Sequence, residues 1–411
     1  MWNFLKNYLI YFKLFSRNAK LFLIGGIFNG IGLSVFSLLF NLYLKEYGYS
    51  ESQIGQILSL GSLGSAIVAI PAAILLEKIE VKKILIYSTV FACLSYMFSI
   101  YFKFLSLIFA FMFFANMFIT VYRVSIAPFF MRNSSKRERI YLFSINSALM
   151  MLSQLIGFIV GGYLPKIIMW FNSSVALRTA YEYSLYFSIL GTMLSILPFI
   201  YLTQSEIIQK RKGMFAQMKN YSWDIIIRLL VPKALVGLGA GLVIPFMNLY
   251  FKNEFNLQSD RIGFFFSIMQ VFLFAGMMLA PFLTKHLGMI KSIVLTELLS
   301  IPFMLILAMS RFLPLAVIAF IMRGTLMNMN LPISANFEME LVKPHEQAFT
   351  NAVSTLAWQG AWTVSAWAGG YIIEKYSFAF SFYITIVAYL LSALTYYFFF
   401  SDYRSDKAIK R

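Results

Sequence analysis

NLYLKEYGYSESQIG, residues 41–55, is written a second time as NLYFKNEFNLQSDRIG, residues 248–263, with one residue inserted. The correspondence continues outward. Gly30-x-Gly32 returns as Gly237-x-Gly239, the charged turn Glu77–Lys83 as Lys285–Lys291, and Gly161-Gly162 as Gly369-Gly370. A period of about half the chain, in a chain this apolar, is the mark of a membrane protein built from two similar halves.

Composition agrees. The 411 residues are 60% hydrophobic and 12% charged, against roughly 25% charged in soluble domains, so lipid is the solvent that fits. The single Cys93 excludes an internal disulfide and any multi-cysteine metal centre. The only histidines, His286 and His345, fall in loops, which leaves little for metal or histidine catalysis. No phosphate-binding glycine loop of the G-x-x-x-x-G-K-[ST] type is present, so direct use of ATP is not expected. No convergent nucleophile, base or metal set is visible either, so the chain does not read as an enzyme and implies no cofactor.

Each span needs about 20 apolar residues. Twelve are read, near 21–44, 53–76, 84–102, 105–131, 141–165, 183–203, 229–251, 262–284, 292–310, 312–337, 348–373 and 378–400. With the termini and the loops after even-numbered spans on one side, that side holds 24 Lys and Arg and the other 8. The bias places both termini in the cytoplasm of a cell membrane, with the loop at 338–347 dissenting. The net charge of +17 is thus positional and points to no nucleic acid. No cleavable signal peptide is read. Lys6, Lys13, Arg17 and Lys20 share one helical stripe and predict a basic amphipathic helix ahead of the first span. The expected domains are residues 1–203, a polar cytoplasmic linker at 204–228, and residues 229–411. Six spans per half make the repeats parallel, related by an axis along the membrane normal.

At this point the chain resembles the major facilitator superfamily, of bacterial type, in its six-plus-six layout and in three degenerate motifs. The family's G-x-x-x-D-R-x-G-R-K loop corresponds to Ala73 through Lys83, where Glu77 and Lys78 keep the acid and base and both glycines are gone. It corresponds again to Pro281 through Lys291, where Gly288 returns and the acid is lost. The antiporter motif G-P-x-x-G-G corresponds to Gly157, Phe158, Gly161 and Gly162, echoed by Ser365, Ala366, Gly369 and Gly370. The resemblance implies an all-α fold of twelve transmembrane helices in two parallel six-helix repeats. It also implies alternating access, and a cavity lined mainly by spans one, four, seven and ten. Small residues one turn apart, Gly157 with Gly161 or Ser365 with Gly369, suit close helix packing, whether static or sliding.

Charges at membrane depth are candidate sites. Arg123 is placed near the cytoplasmic edge, within reach of Glu77. With Lys78, Lys82 and Lys285 these residues form a candidate cytoplasmic gate. Glu297 lies roughly 9 Å from the inner side and Arg323 roughly 12 Å from it, counted from Lys291 and Arg311, so the two are expected to pair between spans nine and ten. Either they form a structural bridge, or Arg323 meets an anionic or polar substrate group and Glu297 handles protons. Asn29, Asn116, Gln154, Asn328, Gln359 and Trp362 suit a polar organic molecule or an amphiphile.

The function expected is secondary transport of a small organic molecule by a monomer, in the direction of efflux by proton antiport. A lipid or glycolipid flippase of the same fold, a facilitative uniporter and an uptake symporter stay open. A sensor is disfavoured because the tail from Ser401 is too short for an output domain.

Overall fold

The computed structural model describes residues 12, 14–203, 221–343 and 345–401. The basic stripe at Lys6 and Lys13, most of the linker and the tail after Ser401 lie outside the described residues. Among the described residues the chain is almost wholly helical, with no strand.

Spans one to six are Arg17–Glu46, Glu51–Lys78, Val81–Tyr101, Leu105–Arg132, Lys136–Phe171, and Leu177–Met193 continued by Ile196–Ile200. Span seven is Trp223–Val243, a 3-10 turn at Ile244–Phe246, and Met247–Phe255. Spans eight to twelve are Ser259–Leu287, Met289–Met309, Leu313–Leu341, Gln347–Lys375 and Phe378–Phe400. Eleven of these are long and apolar enough to cross a membrane. Span eleven reaches 29 residues but carries Gln347, Asn351 and Gln359 among its apolar positions, which dilutes its hydropathy.

Several helices outrun their apolar cores. Span five starts at Lys136 rather than near 141, because Ser135 and Glu138 form a capping box and Ser135 N donates to Glu138 at 2.6 Å. Span seven starts at Trp223, inside the expected linker. Span ten runs to Leu341, past its expected end at 337 and into the acidic stretch read as a loop. Span seven also breaks where span one does not. Pro245, which cannot donate a backbone hydrogen bond, sits in the 3-10 turn, whereas Leu38 at the matching position lies in unbroken helix.

The chain divides into two compact units whose borders are not those of the repeat. Unit 1 is Met1–Gly48, Leu63–Lys210 and Gln258–Ser267, and unit 2 is Tyr49–Ser62, Arg211–Leu257 and Ile268–Arg411. Each unit therefore holds the opening turns of one helix from the other sequence half.

Aromatic rings fill one core in each unit. In unit 1 the Phe22 ring lies 4.8 Å from Phe129, 5.0 Å from Phe130 and 5.8 Å from Phe199. In unit 2 Phe337 meets Phe400 at 5.1 Å, and Tyr221 meets Phe349 at 5.1 Å. Large apolar side chains are as abundant outside, Trp170 at 78% and Phe398 at 72% exposure among them. That surface is stable only against lipid, and the protein is multi-pass.

Candidate functional site

Lipid offers helices no hydrophobic reason to associate, so contacts rest on close packing and internal polar bonds. Both are arranged by the repeat. In unit 1 Gly157 packs on Ser34, where a side chain at 157 would stand 2.6 Å from the serine Cβ. In unit 2 the same crossing has the residues exchanged, with Gly241 against Ser365. Gly161 likewise meets Val35, and Gly369 meets Leu242.

A second pair of crossings uses the exchanged helix starts. In unit 2 Gly370 of span eleven lies against Gly55 and the Glu51 carbonyl of span two. In unit 1 Gly162 of span five lies against Gly263 and the Ser259 carbonyl of span eight. These are one contact drawn twice, 208 residues apart. Polar bonds at matching positions close each one. Ser52 N donates to Glu374 at 2.9 Å, and Lys166 pairs with Asp260 at 3.3 Å. Asn253 adds a bond to Glu51 at 2.9 Å, and Ser259 one to the Gly162 carbonyl at 2.9 Å.

Unit 2 carries a group of buried charges on spans nine and ten. Arg323 is 6% exposed and Glu297 1%. The expected Arg323–Glu297 pair does not form. Arg323 Nη2 donates to the Tyr389 hydroxyl of span twelve, and its guanidinium carbon stands 5.5 Å from the Tyr389 ring centroid. Gly239 makes room for that ring, since a Cβ there would approach it to 2.7 Å. Glu297 Oε1 instead accepts from Asn330 Nδ2 at 3.3 Å. Asn330 is seven residues beyond Arg323, roughly 10 Å along the helix. Counting inward through a 30 Å core set Arg323 too deep, because span ten runs 18 residues past it, roughly 27 Å.

A third pair was missed. Lys233 of span seven donates to Glu338 of span ten at 2.7 Å, with side chains 20% and 3% exposed. Glu338 falls in the stretch read as a loop, and Lys233, though inside the span read at 229–251, is tallied with the loop charges there. Arg323, Asn330 and Glu338 thus stand two turns apart in succession down one helix. Tyr396 lies within electrostatic reach of both Glu297 and Glu338. Three polar atoms of this column are buried with no partner among the described residues: Arg323 Nε, Glu297 Oε2 and Asn330 Oδ1. Buried polar atoms are ordinarily satisfied, so these are open valences.

The other candidates are dispersed. Asn328 bonds to the Gly324 carbonyl of its own helix at 2.8 Å. The Trp358 and Trp362 rings meet at 4.9 Å on the helix that carries half-buried Gln359. In unit 1 Asn29 is buried with its Nδ2 unpartnered, Asn116 bonds to the Met112 carbonyl at 2.9 Å, and Gln154 is half-buried. No hydrogen bond joins these three among the described residues.

Of the gate candidates, the Glu77 side chain lies outside the described residues. Lys78 and Lys285 are exposed and Lys82 is half-buried. Arg123 is exposed and sits nine residues before the helix end at Arg132, roughly 13 Å short of the edge where it was expected. It is Arg132 that reaches span two, donating to the Leu76 carbonyl at 3.4 Å. Among the described residues no cluster of His, Cys, Asp and Glu is arranged to hold a metal ion.

The comparisons agree with this architecture. A family profile described as Major Facilitator Superfamily matches residues 22–217 and 229–411. No curated relative matches the chain in sequence. Among solved structures it is similar to the nucleoside transporter NupG, with TM-score 0.79, 12% identity, and 94% of this chain and 100% of that one covered. It is similar to a bacterial homologue of the human lysosomal transporter Spinster, with TM-score 0.71, 13% identity, and 92% and 96% covered. It is also similar to the xylose transporter XylE from E. coli, with TM-score 0.72, 13% identity, and 95% and 96% covered. With the profile spanning both repeats, the chain belongs to the major facilitator superfamily.

Proposed function

We propose that the protein is a secondary transporter of a small polar or anionic organic molecule, working as a monomer in a cell membrane by alternating access. The observation that carries this is the buried polar cluster of spans nine and ten. A guanidinium, a carboxylate and an amide each keep one buried polar atom without a hydrogen-bond partner among the described residues. Arg323 would meet an acidic or acceptor group of the substrate, with Tyr389 holding it in place. Glu297, which forms no salt bridge among the described residues, is the station where a proton would be exchanged. Efflux by proton antiport is the direction favoured by the degenerate span-five motif. Arg123, Lys78, Lys285 and Glu77 would act at the cytoplasmic gate. The two glycine crossings would close the opposite end, with both termini in the cytoplasm.

The test is a screen of small organic acids and polar metabolites for thermal stabilisation of the purified protein, repeated with Arg323→Ala. A ligand whose stabilisation survives that change removes Arg323 from the site. In liposomes, flux indifferent to an imposed pH gradient removes proton coupling through Glu297.

A flippase-type cargo has one observation in its favour. A recess of about 270 Å³ between spans eight and ten is walled by Met277, Pro281, Met289, Pro332 and Ile333, with Asn336 as its amide. Apolar walls with two polar handles, Asn336 and Thr284, suit an amphiphile. Movement of a labelled lipid between leaflets without saturable solute flux would favour this second reading.

A further inference from the structure

A separate cavity of about 410 Å³ lies in unit 1, where the start of span three meets the end of span six. It is lined by Glu80, Lys82, Lys83, Ile86 and Tyr87 on one side and Thr203 on the other. Lys83 pairs with Glu80 at 3.5 Å. Lys82 lines the cavity half-buried and has no anionic partner among the described residues. Among the described residues one positive charge of the cavity is therefore left uncompensated.

The surface leading away from it is apolar. Spans three and six pack together, with Cys93 Sγ 3.9 Å from the Ile189 carbonyl. Phe91 on one and Leu194 and Leu197 on the other remain exposed. Tyr87 and Tyr201 flank the charged end at 56% and 62% exposure. A cation at the helix end, phenols beside it and an apolar face running on into the membrane follow the profile of a lipid, charged at its head and apolar along its tails.

We propose that this cavity binds the head group of an anionic phospholipid, with Lys82 on the phosphate and the acyl chains along spans three and six. A free anion would use the lysine but not the apolar face. A choline head would bring a second cation to a site already in positive excess. The site gives Lys82 a lipid partner in place of the gate role, and it does not depend on the substrate reading above.

The test uses the full-length protein in neutral detergent, titrated with phosphatidylglycerol, phosphatidylcholine or inorganic phosphate, and followed by thermal melting and native mass spectrometry. Phosphatidylglycerol is expected to stabilise the protein and to be retained, while the other two do neither. Lys82→Ala should weaken retention roughly fivefold, the scale of one lysine at an anionic surface, and Lys82→Arg should keep it. Glu80→Gln should tighten binding, because it frees Lys83, a gain that a purely structural role for this turn would not produce. Equal retention of both lipids, an equal response to phosphate alone, or no response to Lys82→Ala overturns the proposal. Should Lys82→Ala fail to fold, an unchanged phosphatidylglycerol affinity in Glu80→Gln overturns it.

Discussion

Lys233 donates to Glu338 at 2.7 Å across spans seven and ten, and burial leaves the carboxylate side chain 3% exposed. Removing either partner strands the other charge in a low-dielectric site. Lys233→Met or Glu338→Leu alone should each cost about 3 kcal/mol of stability. The double replacement Lys233→Met with Glu338→Leu should recover most of that loss, since apolar residues of similar volume often substitute for a buried pair without cost. Unfolding measured on the four proteins decides it. A double variant as unstable as the sum of the singles would mean the charges do not act on each other.

The exchanged serine and glycine make a sharper test of the repeat. Gly157→Ser places serines on both sides of a contact that has room for one, which overpacks it by about 1–3 kcal/mol. Adding Ser34→Gly reproduces the arrangement that Gly241 and Ser365 already use in unit 2. Melting temperature should fall with the single change and recover in part with the second, since the Ile31 carbonyl, 2.7 Å from a Cβ at 157, stays in place. Failure of the rescue would show that the two crossings are not equivalent.

In a Cys93→Ser background, Ser52→Cys with Glu374→Cys should form a disulfide under mild oxidation, because those positions are already bonded at 2.9 Å. Gly370→Leu should abolish the cross-link, since even a Cβ at 370 would stand 2.4 Å from the Glu51 carbonyl. Cross-linking that persists in Gly370→Leu would mean the crossing does not depend on backbone contact.

At the end of span one in unit 1, Tyr47 donates to Glu182 at 2.7 Å, and Glu182 pairs with Lys103 at 3.1 Å. Burial first, and then the bond to Glu182, pushes the Tyr47 hydroxyl up to about 12. An unfolded tyrosine ionises near pH 10, so the folded state holds this proton more tightly. The resulting stability is complete below about pH 10 and is lost as pH rises toward about 12. Melting curves of the parent should fall more steeply across that window than those of Tyr47→Phe. Parallel curves would exclude Tyr47 as the source.

The repeat was readable because its signals are local. Glycines, loop charges and the NLY tripeptide keep their identity wherever the helices go, and they announced both the fold and the crossings. The charge column was only half readable. Arg323 and Glu297 stood out as charges in apolar runs, but rise per residue gives depth and not direction around the helix, so Asn330 and Tyr389 went unrecognised as their partners. Lys233 and Glu338 were hidden for a different reason. Lys233 is tallied with the basic linker that ends five residues before it although span seven is read from 229, and Glu338 sits on a helix end that extends past the apolar core, which hydropathy does not show. Arg132 was lost in the same way, counted with the basic loop that follows it.

The crossings of Gly55 with Gly370 and of Gly162 with Gly263 also set a timetable for biogenesis. Gly263 follows Gly162 by 101 residues, whereas Gly370 follows Gly55 by 315. At ribosomal speeds of about 5–20 residues per second, the opening turns of span two wait on the order of half a minute for span eleven, about three times as long as span five waits for span eight. During that interval a glycine-lined helix face carrying Glu51 stands in the bilayer without its partner. A chain cut at the linker would leave that face without its span-eleven partner.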